Sequence, residues 1–167
     1  MDYTAAVITV SDMGYQGLRE DTSGPNLCAI LKEHEFDVVY TAMVPDDDAM
    51  IRAELLKCSD ELGISLILTT GGTGFSPRDI TPEAASAVIE RATPGIPEAM
   101  RAESMRITPK GCLSRSVAGI RGRSLIITLP GSKKASAENI LAVLEPVKHG
   151  LEMLLGSGSA NCAAGNK

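Results

Sequence analysis

The sequence predicts an α/β domain in which helices cover both faces of a mostly parallel sheet. Short apolar runs rich in β-branched residues alternate with segments of helical spacing, an order that favours parallel strands joined by crossover helices. These runs are apolar at nearly every position, which is typical of strands buried on both faces. Glycine, proline or aspartate follows each run and marks its end. The predicted strands are residues 5–10, 38–44, 64–69 and 125–129.

The helices are predicted from apolar spacing and from residues suited to helix ends. Pro25 is tolerated in a first turn, and the helix that it begins is expected to reach residue 36. Thr81 resembles an N-cap followed by a first-turn proline. Further helices are predicted at residues 49–56, 81–91, 98–106 and 135–155, with Pro146 expected to kink or split the last.

Length and composition favour one soluble domain. The 167 residues suit a single domain, predicted to span 1–156, with 157–167 as a flexible tail. A net charge of −5 weighs against a nucleic-acid partner. No apolar run approaches the roughly 20 residues needed to cross a membrane, and no signal-peptide pattern is present. Four cysteines without a Cys-x-x-Cys pair argue against zinc, and a reducing cytoplasm is the expected location.

Unusual loops follow all four predicted strands. In parallel α/β sheets, ligands gather beyond the carboxyl ends of the strands, where such loops meet. We therefore expect a binding site there. The four loops are residues 11–12, 45–46, 71–79 and 130–132.

The glycine-rich turn of residues 71–74 can serve a ligand or only the chain itself. Its glycines permit positive φ and close approach of a ligand, so that several N–H groups can surround an anion. The spacing matches neither the P-loop nor the dinucleotide-binding fingerprint. A tight strand-to-helix turn explains the same glycines equally well.

Two aspartates near these loops are candidate Mg²⁺ ligands. Asp46 and Asp79 follow neighbouring strands, and Mg²⁺ usually binds one or two carboxylates together with waters and substrate phosphates. The alternative for Asp79 is a solvent-facing ion pair with Arg78. A basic stretch offers phosphate contacts or, equally, a solvated surface; it comprises Arg115, Arg121, Arg123, Lys133 and Lys134.

Residues 71–84 have the sequence GGTGFSPRDITPEA, which resembles the signature of the MogA/MoaB family of molybdenum cofactor biosynthesis proteins. The related MoeA domains and CinA-like proteins share the TTGG of residues 69–72 but lack the RDxTPE continuation. Residues 11–24, 113–122 and 129–134 also resemble the family, and the resemblance extends from about residue 3 to residue 155.

The resemblance implies a three-layer α/β/α sandwich of the molybdopterin-binding type, usually a homotrimer in the cytoplasm. It implies adenylylation of molybdopterin with MgATP, release of pyrophosphate, and a MoeA-type molybdenum insertase as the downstream partner. By motif, Asp46 and Asp79 become the catalytic, Mg²⁺-binding acids. The residues expected to bind substrate or phosphate are Ser11, Asp12, Gly71, Gly72, Thr73, Gly74, Arg78, Thr81, Ser114, Arg115, Pro130, Gly131 and Ser132.

Three functions compete at this point. The first is molybdopterin adenylyltransferase, and the second is a MoaB-like protein that binds molybdopterin without adenylylating it. Both acids are present, which favours the enzyme. The third is a scaffold, for which the sequence offers no partner-binding segment.

Overall fold

Six strands and six α-helices follow one another along residues 3–156, the part of the chain that the computed structural model describes. A π-helical turn at Lys57–Glu61 extends α3, and a 3-10 turn at Pro109–Leu113 follows α5. The elements are β1 Tyr3–Val10, α1 Asp12–Tyr15, α2 Ser23–Glu33, β2 Phe36–Val44, α3 Asp48–Leu56, β3 Leu66–Thr70, α4 Thr81–Val88, β4 Arg91–Ala92, α5 Gly95–Ile107, β5 Ala118–Arg121, β6 Ser124–Leu129 and α6 Lys133–Leu154.

The strands form one sheet in the order β2-β1-β3-β6-β5-β4. The first four are parallel neighbours, and β5 and β4 add an antiparallel edge. The four carboxyl ends of β2, β1, β3 and β6 therefore lie side by side at one edge of the sheet.

Helices cover both faces of this sheet, which gives three layers. Alternate residues of a strand point to opposite faces, so the core divides into two clusters. On one face Val7 and Leu68 pack with Leu31 of α2 and Ile140 of α6. On the other face Ile8 and its neighbours pack with residues of α3 and α4. Burial on both sides explains why the central strands are apolar at nearly every position.

The fold class is confirmed, whereas several predicted bounds are wrong. The helix expected to reach residue 36 ends at Glu33, because Glu35 adopts φ +65° and Phe36 already belongs to β2. The helix expected to reach residue 91 ends at Val88, since the chain turns there into the edge strand β4.

Two further predictions about helices need correction. Pro146 lies inside α6 without splitting it into two helices. Thr81 is the first residue of α4 rather than its cap, and its hydroxyl makes no capping hydrogen bond. The predicted tail, 157–167, lies outside the described residues.

Candidate functional site

Four polar loops meet at the carboxyl edge of the sheet, as the strand order requires. Residues 45–46 follow β2, 11–12 follow β1, 71–72 follow β3 and 130–132 follow β6. The Ser11 N–H donates to the Val44 carbonyl at 2.9 Å and the Gly71 N–H to the Leu129 carbonyl at 3.1 Å, so the loops leave the sheet in register. The prediction that these loops converge agrees with this geometry.

Two cavities open among these loops. The first, about 440 Å³, is lined by residues that include Ser11, Asp46 and Thr70. The second, about 490 Å³, lies on the side of the 3-10 turn and is lined by residues that include Ser114 and Leu113. Four residues line both cavities and form the wall between them: Gly72, Asp79, Gly131 and Ser132.

Glycine is required at the turn after β3. Gly71 and Gly72 have φ of +111° and +68°, values that side chains disfavour. A Cβ on Gly71 would collide with the Val10 carbonyl oxygen at the end of β1. A Cβ on Gly72 would collide with Thr81 Oγ1 and come within 3.0 Å of Asp46 Oδ1. The backbone of this turn is thus packed directly against the acid that follows β2, although β1 lies between β2 and β3 in the sheet.

The structure distinguishes the three consecutive aspartates that follow Pro45. Asp47 is the N-cap of α3 and accepts a hydrogen bond from the Met50 N–H at 2.9 Å. Asp48 pairs with Arg52 one turn later at 2.9 Å. Asp46 alone among the three lines the first cavity, so two of these acids serve the helix and one faces the site.

Asp46 is held by its neighbour across the sheet edge. The Asp12 N–H donates to Asp46 Oδ2 at 3.2 Å, and the Asp46 N–H donates to Asp12 Oδ1 at 2.9 Å. Burial raises the pKa of Asp46, and the charges of Asp12 and Asp79 raise it further. An ionised carboxylate that is poorly solvated gains more from a cation than an exposed one does.

Arg78 lies over Asp12 and binds both of its carboxylate oxygens at 2.9 Å. This pairing lowers the pKa of Asp12. The alternative in which Arg78 pairs with Asp79 is wrong, because its guanidinium turns to Asp12 instead. Neither Arg78 nor Asp12 lines the two cavities.

Asp79 is fixed within its own loop. Its Oδ2 accepts from the Ser76 N–H at 2.9 Å, and its N–H donates to the Ser76 carbonyl at 2.9 Å. Arg115, far along the chain, donates to the Gly74 carbonyl at 2.8 Å and to the Asp79 carbonyl at 2.7 Å, and it also pairs with Glu83. Arg115 thus supports the loop and does not line either cavity.

The remaining predicted residues divide between the cavities and the core. Thr73, Gly74, Ser114 and Pro130 line the second cavity. Thr81 is fully buried beneath Gly72, and its hydroxyl has no hydrogen-bond partner within residues 3–156. Thr81 therefore packs beneath the turn and lines neither cavity.

Sequence reasoning missed one of two cations and a chain of hydroxyls at the first cavity. Arg19 and Lys133 line it, and both are exposed. Lys133 belongs to the basic stretch noted in the sequence, whereas no pattern marked Arg19. Beneath the cavity, Ser23 Oγ lies 2.8 Å from Thr70 Oγ1 and 3.0 Å from Ser136 Oγ, which joins α2, β3 and α6.

Comparison with known proteins now decides the family. Residues 6–149 match the family described as "Probable molybdopterin binding domain". The chain belongs to this family. The resemblance to molybdenum cofactor biosynthesis proteins is therefore confirmed over most of the chain.

Relatives of this molybdopterin-binding family extend the comparison. The chain is 39% identical over 153 residues to the molybdopterin adenylyltransferase of Helicobacter pylori, covering 90% of this chain and 87% of that protein. It is 41% identical over 162 residues to gephyrin of Dictyostelium discoideum, covering 92% of this chain but only 23% of gephyrin. The crystal structure of the molybdopterin biosynthesis enzyme MoaB from Thermus thermophilus has a TM-score of 0.88 at 44% identity, covering 92% of this chain and 97% of that one.

Proposed function

We propose that this chain is a molybdopterin adenylyltransferase, which joins molybdopterin to the AMP part of ATP and releases pyrophosphate. The observation that carries the proposal is the shared wall, in which Asp79 and Gly72 border two cavities of about 440 and 490 Å³. Each has a volume typical of a small-molecule site. A reaction between two substrates needs two such spaces that meet at one reactive point.

The chemistry sets what the residues must do. An oxygen of molybdopterin's terminal phosphate forms a bond to the α-phosphorus of ATP, and the bond from that phosphorus to its bridging oxygen breaks as pyrophosphate leaves. The attacking phosphate is anionic at pH 7, so no general base is needed. What is needed is in-line placement and compensation of negative charge. Backbone N–H groups of the turn after β3 can orient the phosphates, and Arg19 and Lys133 offer positive charge at the first cavity.

Asp46 and Asp79 fit Mg²⁺ by their donor set. Both residues line the first cavity, and the charge of Asp79 adds to the negative field at Asp46. Within residues 3–156 no group of three or more potential metal ligands is found, so a bound Mg²⁺ would take its remaining ligands from water and phosphate oxygens. When bound, Mg²⁺ supplies neutralisation of phosphate charge.

The alternative is a protein that binds molybdopterin without transferring an adenylyl group. The adenylyltransferase name of the Helicobacter pylori relative, of which the chain covers 87%, favours the enzyme. The test is incubation with molybdopterin, ATP and Mg²⁺, with pyrophosphate and adenylyl-molybdopterin as the products measured. Absence of both products at saturating substrates would leave the binding function.

Asp79→Asn tests the assigned acid. It should leave molybdopterin binding, measured by equilibrium titration, within about twofold of the unchanged protein while abolishing pyrophosphate release. Arg106→Gln is the control, because this exposed arginine lies outside both cavities and, among residues 3–156, forms its ion pair with Glu103. Full activity of Asp79→Asn would refute the assignment.

Several finer points belong to the same proposal. We infer a homotrimer acting in the cytoplasm, with a MoeA-type insertase receiving the product. The domain boundary near residue 156 stays a prediction. No helix within the described residues is long and apolar enough to cross a membrane.

A further inference from the structure

The acids of the site depend on a support that lies outside both cavities. Arg78 binds both oxygens of Asp12 at 2.9 Å, and the backbone N–H groups of Asp12 and Asp46 each donate to the other's carboxylate. Arg78 also directly precedes Asp79 in the chain. One guanidinium therefore connects the loop that carries Asp79 to the strand end that holds Asp46.

Exposure to solvent limits what this pair contributes to stability. The side chain of Arg78 is 64% exposed and that of Asp12 is 31% exposed. Exposed ion pairs add little to the free energy of folding unless their geometry is ideal. A bidentate pair does, however, fix the direction of both partners, because the planar guanidinium matches the carboxylate.

Charge gives the pair a second effect. Three carboxylates, those of Asp12, Asp46 and Asp79, surround the same edge of the sheet, and Asp12 and Asp79 act on Asp46 as like charges. Arg78 compensates Asp12, the acid that does not line a cavity. It thereby leaves the two acids that do line the first cavity available for a cation.

A direct role for Arg78 on phosphate fits the geometry poorly. Its Nε and one terminal nitrogen are committed to Asp12. The side chain does not line the first or the second cavity, whereas Arg19 and Lys133 do line the first. The negative charge of a substrate in the first cavity can therefore be bound by Arg19 and Lys133 instead.

We propose that Arg78 and Asp12 are positioning residues, which set the placement of Asp46 relative to Asp79 for adenylyl transfer and do not themselves contact substrate. The kinetic part of this inference rests on the proposed function. The structural part, that the pair orders the two strand ends in the free protein, does not.

The test compares Arg78→Gln, Arg78→Lys and Asp12→Asn with the control Arg106→Gln. A positioning role predicts that Arg78→Gln lowers kcat roughly 10- to 100-fold, because displacing a catalytic group by about 1 Å can lower the rate 10²-fold. The KM values for ATP and for molybdopterin should change less than about twofold. Arg78→Lys keeps the positive charge but not the planar guanidinium, so its kcat should lie between those of the wild type and Arg78→Gln. Asp12→Asn should resemble Arg78→Gln, and the double variant should be no worse than either. Arg106→Gln should leave kcat unchanged.

Amide hydrogen exchange in the ligand-free protein supplies a readout that needs no activity. The Asp46 N–H donates to Asp12 and the Asp79 N–H lies in the loop next to Arg78. Both should exchange several-fold faster in Arg78→Gln than in Arg106→Gln. A raised KM for ATP with unchanged kcat would overturn the proposal in favour of direct phosphate contact. Unchanged kcat and KM would also overturn it, because the pair would then be a surface contact with no effect on the reaction. Absence of transferase activity in the wild-type protein would refute the proposed function but not the ordering role of the pair. In that case, unchanged amide exchange in Arg78→Gln would overturn the ordering role.

Discussion

Gly72→Ala is the substitution for which the structure allows the sharpest expectation. Gly72 has φ +68°, and a Cβ at this position would collide with Thr81 Oγ1 and lie 3.0 Å from Asp46 Oδ1. Thr81 is fully buried and begins α4, so it cannot move aside without moving the helix. The variant therefore carries both a conformational and a steric cost.

The two costs can be estimated separately. A left-handed φ costs a residue with a side chain roughly 1–2 kcal/mol. Forcing an extra carbon into a packed site costs typically 1–3 kcal/mol. Their sum is about 3 kcal/mol, which corresponds to a fall in Tm of about 6–12 °C for a domain of this size.

A double-mutant cycle measures the steric part alone. Thr81→Ala removes the oxygen with which the new Cβ collides, and that oxygen has no hydrogen-bond partner within the described residues. Urea unfolding of both single variants and the double variant should therefore yield a favourable coupling of about 1–3 kcal/mol. Additivity within about 0.5 kcal/mol would refute the reasoning, because it would mean that Thr81 does not oppose a side chain at position 72.

Three further outcomes are expected. Burial raises the pKa of Asp46, so its ionisation destabilises the fold progressively as the pH rises from the ordinary value of 3.8 and fully above the folded-state pKa, with no effect well below 3.8. Asp46→Asn should therefore raise Tm at pH 7, lose that gain in acid and abolish transfer, and a lower Tm at pH 7 would contradict this. Asp47→Ala removes the N-cap of α3 and should cost about 1 kcal/mol by urea unfolding with kcat retained; loss of kcat in a folded variant would count against Asp46 as the acid of the site. Gly150→Ala adds a Cβ in open space within α6 and should stabilise the fold by about 0.5–1 kcal/mol, which a fall in Tm would disprove.

The central sheet was predictable because its pattern is local. The strands that became β1, β3 and β6 are continuous apolar runs, since helices cover both faces, whereas β2 lies at the sheet edge and alternates between exposed and partly buried positions. The antiparallel edge was missed for the opposite reason. Ala118–Arg121 is four residues long and half-buried in its second half, and Arg91–Ala92 is exposed, so neither has a pattern to detect.

The position of the site was predictable, but the role of each residue in it was not. Strand ends and motif together pointed to the correct edge of the sheet. Yet Asp46, Asp47 and Asp48 are chemically identical, and only the start of α3 decides which one becomes a cap. The partners of arginines are equally non-local: Arg78 meets Asp12 across 66 positions, and Arg115 meets Asp79 across 36. The charge of such residues can be read from the sequence, whereas the fold determines which groups they bind.

The wall shared by the two cavities also bears on how their occupants influence each other. Gly72, Asp79, Gly131 and Ser132 face both spaces, so a molecule that shifts or orders them from one side alters what the other side presents. Binding linkage is reciprocal: whatever factor the first occupant imposes on the affinity for the second, the second imposes on the first. The four-residue wall therefore couples the two binding equilibria as well as separating the two cavities. The affinity measured for one molecule then depends on whether the other cavity is already saturated.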